Sequence, residues 1–481
     1  MKRILMAALV PAMVVGCSEA NKPQLTGSED SAQLFQHISA NLITIKTMDD
    51  KAVANAQVLI GDAQNSPFAG NLLTTNAAGQ IEVPAGWNQA LPVTVQAPGF
   101  IRTTYMSVEP GSLTIQLRPL NTVTQYQIKG AATGLPIKNG DDQVDFGLVM
   151  PAFTKLQLFA FNMDNVISPQ SDIVSAMGQE IQVPVNLSLP KQSEKYSLFT
   201  ITLDKPAYRI YLGQPGVQRV FVAKGRFPFK ATVDQLKDGK QFWELINSFK
   251  LSGGAVRDLN ITGGQTALDM PTGEMNFGEA KSITAPQFRA DEAFMAAAVA
   301  NQSGYMFPTD VKKMTAGQKA SLNTLGGTPA NVLAVLKKTD DWKNGGDRVS
   351  TAMVPFDASV APQVLPLMGN PTVAGGGREL TFPQISTIGG VVPTATYTVL
   401  SMEIEVQQGP EKVKLMNPTW EIYSAKWVTS MKVPTLPGDN FGNGKKRWEV
   451  NFLGSQNSSQ PDMGPAMIEQ ATHVTHSSAT F

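Results

Sequence analysis

Histidine and cysteine, which carry much of the metal and nucleophile chemistry of proteins, are nearly absent from this chain of 481 residues. The single cysteine is Cys17, so no disulfide can form within the chain and its domains must be stabilised by hydrophobic cores. The three histidines are His37, His473 and His476, and all of them lie in polar segments near the chain ends. A Ser-His-Asp triad needs a rigidly held histidine. The sequence therefore offers no candidate catalytic residue.

An excess of charge of either sign is also missing, because 39 Lys and Arg residues balance 39 Asp and Glu residues. Nucleic-acid-binding proteins usually carry a basic stripe, so we expect no nucleic-acid partner. Phosphate-binding loops, dinucleotide-binding glycine turns and G-x-S-x-G nucleophile elbows are absent as well. These absences argue against the enzyme classes that depend on such motifs.

The first residues have the layout of a secretory signal peptide. Lys2 and Arg3 give a positive start, residues 4–15 are apolar apart from one proline, and the small residue Gly16 follows. The apolar run is shorter than the about 20 residues that a membrane-spanning helix needs. No later apolar run in the sequence approaches that length.

The residues at the end of this segment, Val14, Val15, Gly16 and Cys17, resemble the lipobox of bacterial lipoproteins. The resemblance implies that a signal peptide, 1–16, is removed, that the Cys17 thiol takes a diacylglycerol, and that the new amino terminus is acylated, for example with palmitate. The chain would then bind a membrane through its N-terminal lipid. Ser18 stands where inner-membrane members of that family tend to have aspartate, which implies the outer membrane. The polar residues 17–40 are expected to form a tether.

From residue 41 the pattern is mainly β, because short runs rich in β-branched residues alternate with Gly, Pro and Asn turns. We predict several β-sandwich-like domains in tandem, with one or two short helices. The predicted segments are a small sandwich at 41–120, a β-rich domain at 121–290 with a helix near 240–251, a β-rich domain at 291–455 and a flexible tail at 456–481. The helix is predicted because Phe242, Leu245, Ile246 and Phe249 fall at i, i+3, i+4 and i+7.

Segment 41–120 also resembles a known family of small domains. The resemblance is carried by ANAQVLI at 54–60, TTNAAGQIEVP at 74–84, VTVQAPGF at 93–100 and LTIQL at 113–117. These runs look like the carboxypeptidase regulatory-like domain, a transthyretin-like sandwich of about seven strands that is usually non-catalytic. Ile81 stands where the family pattern has an aromatic residue, and Phe100 replaces a tyrosine. The resemblance implies a fold but names no activity.

One acidic loop has the oxygen ligands and glycines of a calcium site, although it lacks the alternating spacing of an EF-hand. Its candidate ligands are Asp340, Asp341, Asn344 and Asp347. Asp, Asn and Gly also favour turns for backbone reasons, so a solvated turn is the simpler interpretation. A structural calcium ion at this loop is the only cofactor that we predict. Residues Glu469, His473 and His476 have helical spacing for a metal site, but solvated side chains in a tail explain them more simply.

A glycoside hydrolase needs only two carboxylates in a cleft, so the acidic residues of 121–455 leave this activity open. Glu403 and Glu405 share one strand face, which a charged outer face explains equally well. Trp420, Trp427 and Trp448 would suit either a sugar-stacking platform or a core, and the core is favoured because aromatics supply much of a sandwich's burial.

We therefore predict a lipid-anchored protein of the outer membrane, on its periplasmic face or at the cell surface. Its role would be non-enzymatic binding or adhesion, with a protein or a glycan as its ligand. One alternative is a lipid-anchored hydrolase that acts on glycan or peptide, with its site in 121–455. The other is a structural envelope component or a receptor subunit.

Overall fold

The fold was analysed in a computed structural model, which describes most of the chain from residue 41 onward. The described residues are 41–63, 72–121, 126–135, 143–151, 153, 155–159, 171–176, 179–189, 207–212, 215–240, 242–262, 265–267, 269–302, 304–339, 341, 347–408, 411–437, 439, 441, 444–456 and 462–481. The predicted signal peptide and tether, including Cys17, lie outside these residues.

The first seven strands form a small sandwich between residues 42 and 117. They are β1 (Leu42–Thr47), β2 (Gln57–Ile60), β3 (Leu73–Thr74), β4 (Gln80–Glu82), β5 (Leu91–Gln96), β6 (Arg102–Val108) and β7 (Leu113–Leu117). One sheet has the order β4-β1-β7, and the other runs β3-β2-β5-β6. Ile43 and Ile45 of β1 pack against Val93 and Val95 of β5, because alternate apolar residues point between the sheets.

The next part of the chain forms two further sheets around a second core. Its elements are β8 (Tyr126–Thr133), β9 (Gln143–Pro151), α1 (Lys155–Phe159), β10 (Ser171–Ala176), β11 (Gln179–Pro184), β12 (Leu187–Ser188), β13 (Ala207–Leu212), β14 (Gly216–Pro228), α2 (Phe229–Lys237), a 3-10 helix (Phe242–Ser248), β15 (Lys250–Ile261), β16 (Gln265–Ala267), β17 (Met270–Pro271) and β18 (Met275–Thr284). Ile128 and Tyr208 of one sheet pack on Val149 and Val222 of the other. Strands β10 and β11 form a separate antiparallel pair.

The remaining strands complete the largest sheet of the molecule. The elements are β19 (Glu292–Gln302), β20 (Tyr305–Met314), β21 (Lys319–Leu325), β22 (Ala330–Lys338), β23 (Val349–Pro355), β24 (Thr372–Ala374), a 3-10 helix (Gly375–Gly377), β25 (Glu379–Thr381), β26 (Val392–Gln408), β27 (Glu411–Ser424), β28 (Ser430–Lys432), β29 (Lys446–Ser455), α3 (Pro465–Gln470) and β30 (His473–Thr480). Strand β21 joins a six-stranded sheet of order β12-β9-β14-β15-β18-β21, and β24-β25-β28 form a small sheet of their own.

Twelve strands from both ends of the chain share one continuous sheet. Its order is β20-β19-β22-β23-β30-β29-β26-β27-β6-β5-β2-β3. The join is a parallel pairing of β6 with β27, in which Arg102 lies opposite Trp420 and Tyr105 lies opposite Tyr423. We call this join the seam. It fuses one sheet of the N-terminal sandwich to the C-terminal strands, although more than 300 residues separate the two in sequence.

The two faces of the twelve-stranded sheet near the seam are covered by different parts of the chain. On one face, Leu59, Trp420 and Trp448 pack against residues from the β24-β25-β28 region, including Leu380 and Met431. The opposite face carries Val58, Val93, Tyr397 and Tyr423, which belong to the same core as Ile43 and Met467. Apolar clusters therefore cover part of both faces of the sheet near the seam.

The mainly β fold predicted from the sequence is confirmed, and one local expectation is wrong. Residues 473–480 are a central strand, paired with β23 and β29, rather than part of a flexible tail. Their hydroxyl groups find partners inside the protein: Thr475 Oγ1 donates to the Pro366 carbonyl, and Ser477 Oγ donates to Asn370 Oδ1. A Ser- and Thr-rich strand of this kind has the composition of a loop, and only its tertiary partners identify it.

The helix predicted near 240–251 is a 3-10 helix, and a separate α-helix, α2, precedes it. Helix α2 ends at Lys237, and Gly239 then adopts a φ of 84°, a conformation that favours glycine. The apolar stripe continues as the 3-10 helix Phe242–Ser248, which buries Leu245 and Ile246. The stripe therefore predicted a helical segment and the burial of Leu245 and Ile246, but it predicted neither the type of helix nor the burial of Trp243.

The described residues within Asn41–Phe481 form one compact unit. Strands from both sides of residue 120, and from both sides of residue 290, pair in shared sheets, so the structure does not separate domains at these points. The domain boundaries at 120 and 290 stay predictions. Among the described residues, no helix is both long and apolar enough to cross a bilayer.

Candidate ligand-binding groove

A groove of about 580 Å³ opens on the sheet at the seam. Its floor is one row of side chains that crosses five strands. Gln57 of β2 pairs with Gln96 of β5, and Arg102 of β6 pairs with Trp420 of β27, which in turn pairs with Leu400 of β26. Directly paired residues point to the same face of a sheet, so the row forms a continuous surface. The volume lies within the usual range of ligand pockets, about 300–1,000 Å³.

Hydrogen bonds link the polar members of this row to one another. Gln96 Nε2 donates to Gln57 Oε1 at 2.6 Å, and Arg102 Nη2 donates to Gln96 Oε1 at 2.9 Å. The Arg102 guanidinium lies 4.5 Å from the centre of the Trp420 ring, in cation–π contact. Trp420 Nε1 donates to Thr104 Oγ1 at 2.8 Å, which satisfies the buried indole. Each of these side chains is therefore held in place before any ligand arrives.

An ion-paired carboxylate forms the rim of the groove. Asp439 Oδ2 accepts from Arg102 Nη1 at 3.0 Å and from Arg378 Nη2 at 2.9 Å. Its side chain is only 10 % exposed, so the pairing compensates for its burial. The Arg378 guanidinium also lies 4.2 Å from the centre of the Phe441 ring, which lines the groove. The carboxylate of Asp439 is therefore shared by two guanidiniums and is part of a fixed ion-pair network at the rim.

A buried polar cluster braces the opposite face of the sheet at the seam. Arg118 Nε donates to Glu421 Oε1 at 2.7 Å, and Arg118 Nη2 donates to Tyr397 Oη at 2.7 Å. Tyr423 Oη donates to Glu421 Oε2 at 2.9 Å. Burial, and then the nearby Glu421 charge, raises the pKa of Tyr423. Burial alone would lower the pKa of Arg118, but the neighbouring Tyr397 and Glu421 raise it overall, so the guanidinium stays charged.

The two histidines of β30 are held in different protonation states, one cationic and one neutral. His476 Nε2 contacts Asp347 Oδ2 at 3.1 Å and Nδ1 contacts Asn451 Oδ1 at 2.9 Å. Asn451 Nδ2 donates to a backbone carbonyl, so both ring nitrogens of His476 face acceptors and must both carry protons. Burial lowers the pKa of His476, but the Asp347 hydrogen bond and charge raise it overall. With both nitrogens engaged, His476 has none left to activate a nucleophile.

His473 is the neutral member of the pair. Its Nε2 donates to the Gln363 carbonyl at 3.1 Å, and Thr472 Oγ1 lies 2.8 Å from Nδ1. Burial lowers the pKa of His473 to about 4. The weak metal site considered for Glu469, His473 and His476 has no support here. No group of three metal-ligating His, Cys, Asp or Glu side chains occurs within the part of the chain that the structure describes.

The four candidate calcium ligands divide into two described and two undescribed residues. Asp341 Oδ2 accepts from Arg348 Nε at 2.8 Å and from the Arg348 backbone N–H at 3.0 Å, and Asp347 contacts His476. Asp340 and Asn344 lie outside the described residues. A calcium ion at this loop would compete with a guanidinium and an imidazolium for its carboxylates, and the site stays a prediction.

The residues considered for a hydrolase or a sugar platform have structural partners. Glu403 and Glu405 form cross-strand ion pairs with Lys414 and Lys412, which explains their shared face. Trp448 is fully buried and donates its Nε1 hydrogen to the Gly377 carbonyl. Of the three tryptophans, Trp420 alone lines the groove, and it does so as part of the floor.

Sequence reasoning missed the groove, because its walls come from distant segments. Gln57, Gln96 and Arg102 belong to the N-terminal sandwich, whereas Asp439 and Phe441 follow β28. Each of these residues is ordinary in its local sequence. One local signal could have pointed to two of them. Gln96 ends β5 and Arg102 begins β6, and both polar side chains lie on the sheet face that carries Thr94 and Thr104.

Comparisons with known proteins leave the chain without a family. No family model matches it, and no curated protein resembles it significantly. A similar solved structure is the major pilin subunit of Bacillus cereus, with 7 % identity and a TM-score of 0.15 over 72 % of this chain and 93 % of that one. Another is a streptococcal ancillary pilin, with 10 % identity and a TM-score of 0.14 over 73 % and 95 % of the two chains. At these TM-scores the similarity supports no argument about function.

Proposed function

We propose that this protein is a lipid-anchored, non-enzymatic binding protein of the bacterial outer membrane. It would hold a protein or glycan ligand in the groove at the seam. The observation that carries the proposal is the construction of the groove. Its polar side chains are fixed by one another, and the carboxylate at its rim, Asp439, is neutralised by Arg102 and Arg378. Such a site is organised for recognition rather than for proton transfer.

Two observations favour binding over hydrolysis. A two-carboxylate hydrolase needs an acid and a base or nucleophile in one cleft, and Asp439 is the single carboxylate among the described residues that line this groove. A second, smaller groove of about 380 Å³ likewise has one carboxylate among its described lining residues, Asp357, whose Oδ1 accepts from Ser359. The hydrolase alternative is therefore not supported at either described groove.

The proposed anchor is tested by metabolic labelling with a palmitate analogue in cells that express the full chain. We expect the wild-type chain and a Ser18→Ala control to incorporate the label, whereas Cys17→Ala does not, because it lacks the acceptor thiol. Cys17→Ala should also lose its membrane association. A Cys17→Ala chain that stayed labelled and membrane-bound would refute the lipid anchor.

The side of the membrane is tested by adding protease to intact cells. Digestion of the wild-type chain on unbroken cells would support a surface role in adhesion or ligand capture. Protection until the outer membrane is permeabilised would place the protein in the periplasm and favour a role within the envelope. An antibody against the 291–455 segment detects the intact chain in both cases.

A further inference from the structure

We propose that the groove at the seam recognises a carboxylate group that is joined to an apolar body, as at the C-terminus of a peptide that ends in an apolar residue. This inference rests on the proposed binding function and names the chemistry of the ligand. Three features of the groove support it. They are a row of side chains that offers mostly N–H donors, an excess of one positive charge, and the apolar residues among the lining.

The direction of the hydrogen bonds in the row is fixed by Arg102. A guanidinium can only donate, so the Gln96 atom that lies 2.9 Å from Arg102 Nη2 must be the amide oxygen. The amide nitrogen of Gln96 is then left to donate to Gln57 Oε1, at 2.6 Å. Both amide oxygens of the row therefore accept from a neighbour within the protein, and neither glutamine can flip without losing a hydrogen bond.

The groups of the row that remain for a ligand are mostly N–H donors. A guanidinium has five N–H bonds. Asp439 and Gln96 take one each from Arg102, and the others have no acceptor within the described part of the chain. Gln57 keeps both of its Nε2 hydrogens. The Arg102 side chain is 22 % exposed, so a ligand can reach it. A carboxylate only accepts, so it matches this row better than hydroxyl groups do, since these also need acceptors.

The charges around Asp439 leave an excess of one positive charge. Arg102 and Arg378 share this single carboxylate, and no other carboxylate occurs among the described residues that line the groove. A carboxylate on the ligand would balance the excess, and its two oxygens suit the N–H groups of a guanidinium. A doubly charged phosphate would instead bring a second negative charge close to Asp439, so a monoanion fits better.

Apolar side chains supply much of the remaining lining of the groove. Phe100, Leu120, Met402 and Phe441 line it and are each partly exposed. A ligand gains from covering them with apolar surface of its own. A peptide that ends in an apolar residue joins such a surface directly to a carboxylate, whereas a uronic acid carries its carboxylate on a ring covered with hydroxyl groups.

The backbone of the groove floor is not available for strand addition. Strands β2, β5, β6 and β27 each have a neighbour on both sides in the twelve-stranded sheet. A peptide would therefore find no free strand edge there. Its affinity has to come from its carboxylate and its apolar side chain, which makes the charge of the carboxylate a sharp test.

The test is an array of short peptides that are attached through their N-terminus and end in leucine, phenylalanine or methionine. Each is present with a free C-terminal carboxylate and as the C-terminal amide, beside uronic acid oligosaccharides and their methyl esters. The full chain purified in detergent is applied, and hits are measured by calorimetric titration. We expect peptide carboxylates to bind at least about tenfold more tightly than their amides, because the amides lose the charge-assisted hydrogen bonds. The uronic acids should bind more weakly than the peptide carboxylates.

Gln57→Glu tests the donor row with little change in shape. It keeps an oxygen that accepts from Gln96 and replaces the two remaining N–H donors by a charged oxygen. We expect it to weaken the peptide carboxylates by about tenfold or more. Gln89→Glu adds the same charge at an exposed position that does not line the groove, so this matched control should bind like wild type. Arg102→Gln should weaken binding too, and thermal melting shows whether each variant is folded.

The outcomes separate this inference from the proposed function. Equal binding of carboxylates and amides, weakened in both by Phe441→Ala, would overturn the carboxylate and leave the binding function standing. Preferential binding of the uronic acids would overturn the apolar body of the ligand. Carboxylate binding that is unchanged in Gln57→Glu and in folded Arg102→Gln would overturn the assignment to this groove. The inference as a whole fails if no carboxylate on the array binds, and cleavage of an arrayed ligand would overturn the proposed function as well.

Discussion

At the residue scale, buried ion pairs connect the strands at the seam, and one of them joins Arg118 to Glu421. The Glu421 side chain is 1 % exposed, and that of Arg118 is 25 % exposed. The partners lie 303 positions apart in sequence, so the pair joins β27 to the end of the N-terminal sandwich. Removing one partner of such a pair leaves an uncompensated charge in the interior, which costs more than the pair itself contributes.

We expect Glu421→Gln to destabilise the protein by about 3–5 kcal/mol, because it leaves the Arg118 charge buried without its carboxylate. The double variant Arg118→Met, Glu421→Gln should recover part of this loss. The free energy of unfolding in urea measures both. Asp258→Asn is the matched control, since this carboxylate is half exposed in its pair with Arg219, and it should cost much less than Glu421→Gln. An equal loss in Glu421→Gln and Asp258→Asn would contradict this account.

The histidines of β30 make opposite contributions to the pH dependence of stability. The pKa of His473 is about 4 in the folded chain against 6.5 for the unperturbed side chain, so the unfolded state binds the proton first as pH falls. Stability is therefore lost between pH 6.5 and about 4. The pKa of His476 is raised, so its contribution is complete below pH 6.5 and is lost as pH rises through the raised value.

We expect His473→Gln to reduce the loss of stability between pH 6.5 and 4 by about 3 kcal/mol, since glutamine does not titrate. Urea unfolding of the wild type and of His473→Gln at several pH values measures the difference between their free energies of unfolding. The contributions of carboxylates that titrate equally in the two proteins cancel in this difference. His476→Gln should instead remove stability at pH 6 and make it less dependent on pH above 6.5. Identical pH profiles for wild type and His473→Gln would show that His473 is not held neutral.

At the scale of elements, close approaches between sheets restrict which residues a strand can carry. A Cβ atom at Gly147 of β9 would lie 2.2 Å from the Cβ atom of Ala132 on β8, so the two sheets of the second core touch here. Gly278 of β18 also lies in a strand, but a Cβ atom there would meet nothing within 4 Å. A close contact between sheets thus requires a glycine at position 147, whereas no such contact requires one at position 278.

We expect Gly147→Ala to lower the free energy of unfolding by about 1–3 kcal/mol, because the added methyl group overpacks the contact. The double variant with Ala132→Gly should restore much of the loss. Gly278→Ala serves as the control and should be neutral or slightly stabilising, since alanine restricts the unfolded chain more than glycine does. Equal effects of the two single variants in urea unfolding would refute the close approach.

The molecule as a whole joins its ends through the seam. Strands β5 and β6 of the N-terminal sandwich continue the sheet of β26 and β27, and the groove takes side chains from both. A sandwich cut free after residue 120 would expose the β6 edge together with Thr103 and Tyr105, which are buried in the full chain. Such an edge is an aggregation hazard.

We expect residues 41–120 and the C-terminal strands to unfold in one cooperative transition rather than independently. Hydrogen exchange of the full chain, followed through a urea titration, measures this: amides of β5 and β26 should share one opening free energy. The isolated segment 41–120 should be less stable than the same residues in the full chain. Separate openings for the two sets of amides would instead support tandem domains that fold on their own.

The sequence by itself determined the mainly β class, because runs of β-branched residues and the turn residues between them are local signals. The signal peptide and the lipidation of Cys17 were also predicted from the sequence, because both depend on a short contiguous motif. Tertiary structure decided the rest. It made β30 a central strand, because partners for its hydroxyls and histidines come from residues about 25 to 130 positions away. It also built the groove, because a row such as Gln57, Gln96, Arg102 and Trp420 exists only when strands from both ends of the chain pair in register.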